Sequence, residues 1–405
     1  MIIGSREQLL HLLAEAAEIE HTLMCSYLYA AFSLKRRGEQ DLNADEGAAV
    51  ERWRKAIMDV AVEEMGHLLM VANLTVAVGG RPHFARPNFP ISPGYFPSGV
   101  VVRLTPFSTE TVEHFIFLER PQGVEEPDGA SFDHLGYRRE QAVQRLMPGA
   151  QDYATIGRLY DAILQNLHAL AHALGEDRLF IGPASGQVSH DLAELDGVAV
   201  IEGLAAAKAA IATIVEQGEG ARAERDVSHY RTFKAILAEL QTLRARRPDF
   251  EPAWPAAENP VLRRPLSPED RVWVDVPDAA DLLDFACAAY GLLLRILVQA
   301  FGRPAGSHAG QKPLIEGAFV LMHAVGEAGG RLARTAASSE GEGVTAGMSF
   351  TMLRGVEPLA IGRPEAVILR EQADALAAGA QRLGLDCAAE LSRLAGDFRL
   401  AAAED

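Results

Sequence analysis

A glutamate and a histidine stand three residues apart in the segment VAVEEMGHLLMVANL, residues 60–74. Glu64 and His67 leave the same face of an α-helix, because three residues are nearly one helical turn. Apolar neighbours such as Val60 and Leu68 indicate that this face is buried. A buried carboxylate and imidazole need compensation for lost hydration, and a divalent metal ion commonly provides it. The spacing therefore predicts half of a metal site, the alternative being a weak ion pair on a helix surface.

A partner for this pair lies on the preceding predicted helix, residues 5–37. Glu20 stands on its apolar side, and the polar turn GEQDLNADEG, residues 38–47, ends the helix. Glu20 is about as far before the turn centre as Glu64 is after it. Residues equidistant from the turn of an antiparallel helix hairpin meet at the same depth. We therefore expect Glu20 to face Glu64 and His67, although an acid on the helix surface is the alternative.

The same combination recurs around the later turn EQGEGARAER. Glu216 closes a predicted helix over about 198–217, and Asp226 and His229 open the next, which runs to about Arg246. A carboxylate on one helix and a carboxylate-x-x-His motif on its partner, twice in one chain, form the ligand set of di-iron carboxylate bundles. Four acids and two imidazoles suit two bridged metal ions.

Some alternatives to these ligands stay open. Asp226 is equally suited to be a helix N-cap, because aspartate is a favoured capping residue. Glu202 and Glu219 are substitutes if Glu216 points away from the site. His168 and His172 share a helix face but lack acidic partners and are interpreted as ordinary helix residues.

The remaining chain supplies helices that could position these side chains. Residues 81–150 are rich in proline and aromatic residues, with one strand-like run, GVVVRLTPF, and a short helix in FSTETVEHFIFLER. We interpret this part as an insert that shapes a substrate pocket. The predicted organisation is a metal-binding bundle over 1–247, a proline-rich linker over 248–278 and a C-terminal helical region over 279–405. Further helices are predicted at about 152–174, 279–302, 312–335, 364–383 and 386–400. The fold class is therefore all-α.

Composition excludes several classes of function. The chain has 405 residues and a formal net charge of −17 at pH 7, which disfavours nucleic acid and anionic membranes as partners. Three widely separated cysteines form no disulfide framework or thiolate zinc motif, and a reducing cytoplasm suits them. The first residues carry no secretory signal pattern. Phosphate-binding loops and the Gly-x-Ser-x-Gly elbow of hydrolases are missing from the sequence.

Four segments resemble the ferritin-like domain of the iminophenyl-pyruvate dimer synthases. They are EHTLMCSYLYAAFSLK, EEMGHLLMVANL, AIATIVEQGEGA and SHYRTF, and the resemblance spans roughly residues 5–245. It implies a ferritin-like helical bundle with long inserted loops. The ligands that it implies are Glu20, Glu64, His67, Glu216 and His229. The ferritin pattern has glutamate where this chain has Asp226, so a sixth ligand there would be one methylene shorter, water-mediated or missing.

The residues and the resemblance together lead to a functional hypothesis with two alternatives. The hypothesis is a non-haem oxidoreductase that holds two iron ions, or manganese, and acts on oxygen, peroxide or a small aromatic or imine substrate. One alternative is the dimer-synthase reaction with a structural metal or a haem, and with an amino-acid oxidase as partner. The other is a non-enzymatic iron-binding bundle. The sequence leaves the substrate and the oligomeric state open.

Overall fold

The chain forms two compact units, each described here by itself. The computed structural model describes residues 5–39, 41–96, 100–132, 152–218, 228–267, 270–301, 303, 308–339, 343–354 and 356–401. One unit comprises Met1–His83 and Pro90–Ala253, and the other comprises Phe84–Phe89 and Trp254–Asp405. The three-part division with a linker over 248–278 stays a prediction. Asp226 lies outside the described residues.

The first unit is built from helices, as the sequence predicts. Single turns of 3₁₀-helix occur at Ala130–Phe132 and Ala184–Gly186. In chain order its α-helices are α1 (Arg6–Ser33), α2 (Ala44–Ala77), α3 (Thr109–Leu118), α4 (Ile156–Leu174), α5 (Glu176–Leu179), α6 (His190–Ala193), α7 (Leu204–Gly218) and α8 (His229–Arg246).

The α1–α2 hairpin has well-defined ends. Ser5 caps α1 by accepting a hydrogen bond from the backbone N–H of Gln8. Asn43 and Glu46 form a capping box at the start of α2, each side chain accepting from the other residue's backbone N–H. The guanidinium of Arg247 contacts the buried Glu46 carboxylate at 2.7 Å. These contacts set the register in which the two long helices pack, and they confirm the predicted hairpin.

The partner of α8 differs from the prediction. The sequence predicts a hairpin of α7 with α8, whereas α8 packs mainly against α3, and α7 packs mainly against α4. The reason is the apolar face of α8, where the Phe233 ring meets the Phe115 ring of α3 with centroids 5.2 Å apart. The strand-like run before α3 forms only an isolated antiparallel bridge between Ile91 and Val102.

The loop before α7 is fastened to α2 through one buried amide. Asn73 donates hydrogen bonds to the carbonyls of Val188 at 2.7 Å and Ala199 at 2.9 Å, and accepts from the Val188 N–H at 2.8 Å. Gln187 makes the same kind of paired contact with the backbone of Ile201. These contacts join the loop that precedes α7 to α2.

The second unit is a separate helical assembly, which confirms the predicted C-terminal helical region. A two-residue parallel pair, Pro260–Val261 with Val272–Trp273, precedes its helices. Glu316 and His323, an acid and an imidazole on α10, are exposed. The helices are α9 (Pro277–Ala300), α10 (His308–Leu332), α11 (Arg363–Leu383) and α12 (Ala388–Ala401).

Among the described helices, α2 has the length and apolar composition that a membrane crossing requires. Its most apolar window of 18 residues is 83% buried inside the protein, as is typical of a core helix. The apolar run at 285–301 belongs to α9, where most of its side chains are buried.

Replacing Asn73 with alanine should lower the free energy of unfolding by about 2–4 kcal/mol, because two buried backbone groups of Val188 and the part-buried carbonyl of Ala199 would lose their partner. Chemical denaturation followed by circular dichroism measures this change. Thr242→Ala is the control, since Thr242 is exposed and bonds only the carbonyl of Ala238 in its own helix. Its effect should stay within about 0.5 kcal/mol. Equal effects of the two substitutions would contradict the role of Asn73 in fastening the loop to α2.

Candidate metal centre

Five buried side chains converge inside the first unit. They form two groups that share one member, and in each group one candidate ligand atom from every residue lies within 4.8 Å of the others. The first group is Glu20, Glu64 and His67, and the second is Glu64, Glu119 and His229. Four helices supply them, because Glu119 is the residue that caps the end of α3. Either group could hold a metal ion.

In the first group the ring of His67 is held from both sides. Its Nδ1 lies 3.1 Å from Glu64 Oε2 and 3.3 Å from Glu20 Oε2, and its Nε2 lies 2.9 Å from Gln217 Oε1. The Gln217 amide nitrogen donates to Asp196 at 3.2 Å, and a carboxylate there can only accept. The amide oxygen therefore faces His67, whose Nε2 carries a proton. Nδ1 is then the nitrogen available to a metal ion.

The second group repeats this arrangement around His229. Nδ1 of His229 lies 3.0 Å from Glu64 Oε1 and 3.6 Å from Glu119 Oε1, while Nε2 lies 2.7 Å from Glu63 Oε2. Despite these short distances, Nδ1 makes no aligned hydrogen bond with the described residues. A buried nitrogen close to two carboxylate oxygens, but not aligned with either, fits ligands directed at a common point between them.

Glu64 connects the two halves of the cluster. Its Oε2 atom faces the His67 ring and its Oε1 atom faces the His229 ring, and the two rings lie 5.5 Å apart. A carboxylate with one oxygen toward each of two centres is the geometry of a bridging ligand. The arrangement is therefore suited to a pair of metal ions rather than to two independent ones.

Two buried tyrosines hold the remaining carboxylates. The Tyr160 hydroxyl donates to Glu20 Oε1, and the Tyr27 hydroxyl donates to Glu119 Oε1. Glu20 thus has one oxygen held by a phenol and the other facing His67, whereas the Glu119 oxygen that accepts from Tyr27 is also the one that lies 3.6 Å from Nδ1 of His229. The Tyr27 ring is itself fixed between Phe115 and Phe233, with centroids 4.6 and 5.1 Å away. These contacts orient the acids before any ion binds.

The protonation of the cluster reflects its burial. Burial and the neighbouring Glu64 raise the pKa of Glu20 to about 8. Burial alone would lower the pKa of His67, but the Glu64 and Glu20 carboxylates raise it to about 10. The pKa of His229 is raised well above its usual value, because Glu64 and Glu119 outweigh burial. Burial opposes ionisation of Glu64, yet the two imidazoles hold its pKa well below the usual range.

The donor set fits metal binding better than it fits ion pairs formed among these side chains alone. Three carboxylates and two imidazoles lie within one buried volume, and the Nδ1 atom of His229 lacks an aligned partner. Carboxylate oxygen with imidazole nitrogen suits iron, manganese or zinc rather than soft thiolate-bound ions. Metal ions at this position would neutralise buried charge that the protein otherwise retains at a cost.

The structure brings together four of the six side chains predicted from the sequence, Glu20, Glu64, His67 and His229. That each binds a metal stays a prediction. Glu216 is half-buried and belongs to neither group, whereas its neighbour Gln217 reaches His67. The turn-distance argument estimates depth along a helix but not the face, and adjacent residues differ by about 100°. His168 and His172 are exposed, as the interpretation of ordinary helix residues implies.

Sequence reasoning missed two functional positions. Glu119 ends the short predicted helix FSTETVEHFIFLER, and its position directly after the apolar run FIFL was the available signal. Glu63 has a side chain that is 41% exposed, and its carboxylate contacts His229. The Glu119 contact depends on the packing of α3 against α8 and the Glu63 contact on the packing of α2 against α8, and spacing along the chain reveals neither.

Comparisons with known proteins identify the family of this chain. The ferritin-like family model matches residues 13–238, and the chain belongs to that family. It is 28% identical over 390 residues to the dichlorochromopyrrolate synthase of Lentzea aerocolonigenes, covering 86% of this chain and 36% of that protein. It is 27% identical over 332 residues to the 2-imino-3-(indol-3-yl)propanoate dimerase of Chromobacterium violaceum, covering 75% of this chain and 30% of that protein.

The chain thus spans about a third of the length of these two curated relatives. A solved ferritin-like protein from Caulobacter vibrioides aligns with 79% of this chain and 98% of its own, at 18% identity and a TM-score of 0.47.

The sequence predicts Glu216 as a ligand, whereas the structure indicates Glu119. Metal analysis of variants distinguishes between these two glutamates. Glu119→Gln should reduce bound metal from about two ions to about one per chain, because it removes an acid from the second group. Glu216→Gln should leave metal content unchanged. The measurement is elemental analysis after anaerobic loading and desalting. The reverse result would restore Glu216 as the ligand and contradict the placement of α3.

Metal binding should compete with protons between about pH 6 and pH 8. Glu20 and His67 have pKa values of about 8 and 10 in the metal-free protein, so both are protonated at neutral pH and must lose a proton to bind. The apparent affinity should therefore rise with pH, about tenfold per unit for each proton displaced. Calorimetry in two buffers of different ionisation enthalpy measures the protons released. An affinity independent of pH would contradict these assignments.

Proposed function

We propose that this chain binds two iron ions at the five-residue cluster and uses them in the oxidative coupling of a small aromatic or imine substrate. The observation that carries the proposal is Glu64, whose two oxygens face two imidazoles inside a buried set of carboxylates. A shared carboxylate has no evident purpose in a bundle with only structural polar contacts. It is well suited to two neighbouring cations.

Iron is favoured over other occupants by the donors. Carboxylate oxygens and imidazole nitrogens suit iron or manganese, and the second nitrogen of each imidazole already contacts a protein group. Haem is less suited, because the space around His67 and His229 is occupied by carboxylates rather than by an apolar slot. Two bound iron ions would supply the electron transfer and oxygen chemistry that protein side chains cannot perform.

The protein's own residues would bind the metal ions, orient the ligands and exclude water from the site. Tyr160 holds one oxygen of Glu20, so that its other oxygen stays directed at His67, and Tyr27 holds the Glu119 oxygen that faces His229. Gln217 fixes the tautomer of His67, and Glu63 fixes the orientation of His229. All five candidate ligands are nearly fully buried, so bulk water is kept from the centre.

The substrate class is supported by the relatives. One is described as a dimerase of an indolyl imino acid and the other as a dichlorochromopyrrolate synthase. Coupling of two aromatic imines removes electrons from the substrate, which is a task for a redox metal centre. An amino-acid oxidase that makes such an imine is the partner we propose, with the reaction carried out in the cytoplasm. Because the match covers only 36% and 30% of the two relatives, their whole activity need not reside in this chain.

The bridging role of Glu64 gives the sharpest test. Glu64→Ala should abolish binding of both metal ions, whereas Glu20→Ala should remove about one, because Glu20 belongs to a single group. Elemental analysis after anaerobic iron loading measures this, together with the optical absorption that oxygen produces in the loaded protein. Glu316→Ala is the control, since Glu316 lies exposed in the second unit.

Activity is then tested with an aromatic imine generated in place by an added amino-acid oxidase. The expected result is a coupled product from the iron-loaded wild type and from Glu316→Ala, with none from Glu64→Ala. A strong Soret band in the purified protein would favour haem instead. Binding of many iron ions per chain without coupling would favour an iron-binding protein and overturn the enzymatic proposal.

A further inference from the structure

An apolar pocket opens beside the candidate metal centre in the first unit. Its space, part of which is open to solvent, is about 460 Å³, and its lining is mostly apolar, as is typical of sites for small molecules. The walls come from α1, from the end of α3 and from the start of α4, and include Ile19, Leu23, Val102, Leu118 and Tyr153. Each of these side chains is at most 8% exposed, so the pocket interior is well covered.

The pocket is adjacent to two candidate ligands in the chain. Ile19 precedes Glu20, and Leu118 precedes Glu119. Helix α1 therefore presents Glu20 to the cluster and Ile19 to the pocket from neighbouring positions. A molecule in the pocket would lie against the backbone that carries a carboxylate of each group.

One hydroxyl in this apolar lining lacks a partner. Thr22 lines the pocket and is fully buried, and its Oγ1 atom makes no hydrogen bond with the described residues. Three other helical threonines behave differently. Thr75, Thr213 and Thr242 each donate to the carbonyl four residues earlier. A buried hydroxyl that forgoes this bond costs free energy unless a ligand or solvent group meets it.

We propose that this pocket binds the aromatic ring of the substrate and that Thr22 hydrogen-bonds the ring's N–H group. The proposal rests on the proposed function for the meaning of the site, but the binding itself does not depend on metal. Aliphatic walls favour a flat, uncharged ring, and a single hydroxyl selects a ring with one polar group. Thr22 is then a specificity-determining residue, because a ring without the N–H group would leave its hydroxyl unpaired.

The mouth of the pocket is formed by a segment that the structure fastens in place. Arg120 donates to the carbonyl of Ala154 at 2.7 Å, and both residues line the opening. Ala154 is exposed, so a larger side chain there can close the mouth without disturbing the core. This position allows the pocket to be blocked independently of Thr22.

Indole and benzothiophene, bicyclic rings of similar shape, serve as probes. The first has an N–H group and the second does not. Thr22→Val should weaken indole binding about three- to tenfold and leave benzothiophene binding unchanged, because it removes only the hydroxyl. Thr22→Ser should restore much of the indole affinity. Calorimetry or ligand-observed nuclear magnetic resonance on metal-free protein measures these constants.

Blocking the mouth provides the second arm of the experiment. Ala154→Trp should weaken both probes at least tenfold, whereas Ala212→Trp, at an exposed position on α7, should weaken neither. Failure of indole to bind the wild type, or equal binding by wild type, Thr22→Val and Ala154→Trp, would overturn the proposal. If Thr22→Val weakens the binding of indole and of benzothiophene equally, the proposed hydrogen bond with Thr22 is wrong.

The outcome is separable from the test of the metal centre. If the probes follow this pattern but no metal binds, the pocket stands and the proposed function fails. If two iron ions bind and neither Thr22→Val nor Ala154→Trp changes the affinity for the probes, the proposed function stands and the pocket assignment fails.

Discussion

The arrangement of the first unit depends on the shared carboxylate of Glu64. Burying one ionised carboxylate is costly, and this one lies among two further acids and two imidazoles. The two positive imidazoles keep it ionised, while burial and its charge keep Glu20 protonated in the metal-free protein. Such a cluster is an expensive way to hold a bundle together, since apolar side chains of similar size would do so at less cost. Its retention is therefore best explained by a ligand that its charges are arranged to receive.

Four helices must be placed correctly for this cluster to form, and each is fixed by contacts outside it. The capping box at Asn43 sets the start of α2, and the Asn73 amide fastens the loop that precedes α7. The aromatic contact between Phe115 and Phe233 joins α3 to α8 and so brings Glu119 close to His229. The rigid supports are thus local capping and aromatic packing, and the costly charges occupy the space that they define.

The sequence predicts the helical fold and the first half of the site well, because both follow from local signals. Glu64 and His67 share a helix turn, and Glu20 is related to them by a short hairpin whose turn is visible in the sequence. The second half depends on which helix packs against α8, and distance from a turn cannot decide that. Glu119 was therefore missed, and Glu216 was predicted where the adjacent Gln217 faces the cluster. A shift of one residue along a helix changes the direction of the side chain by about 100°. A residue predicted to face the cluster can therefore point away from it.

The two halves of the cluster are not equivalent, despite their similar geometry. Nε2 of His229 contacts the carboxylate of Glu63, whereas Nε2 of His67 contacts the neutral amide of Gln217. A carboxylate partner makes an imidazole a stronger electron donor than an amide does, so ions bound at the two halves would differ in electronic character. The pocket walls, in contrast, come from the helices that carry the acids, α1 and α3, and from α4. A substrate there would approach from the side of Glu20 and Glu119, leaving α2 and α8 to hold the imidazoles and tune the ions from the other side.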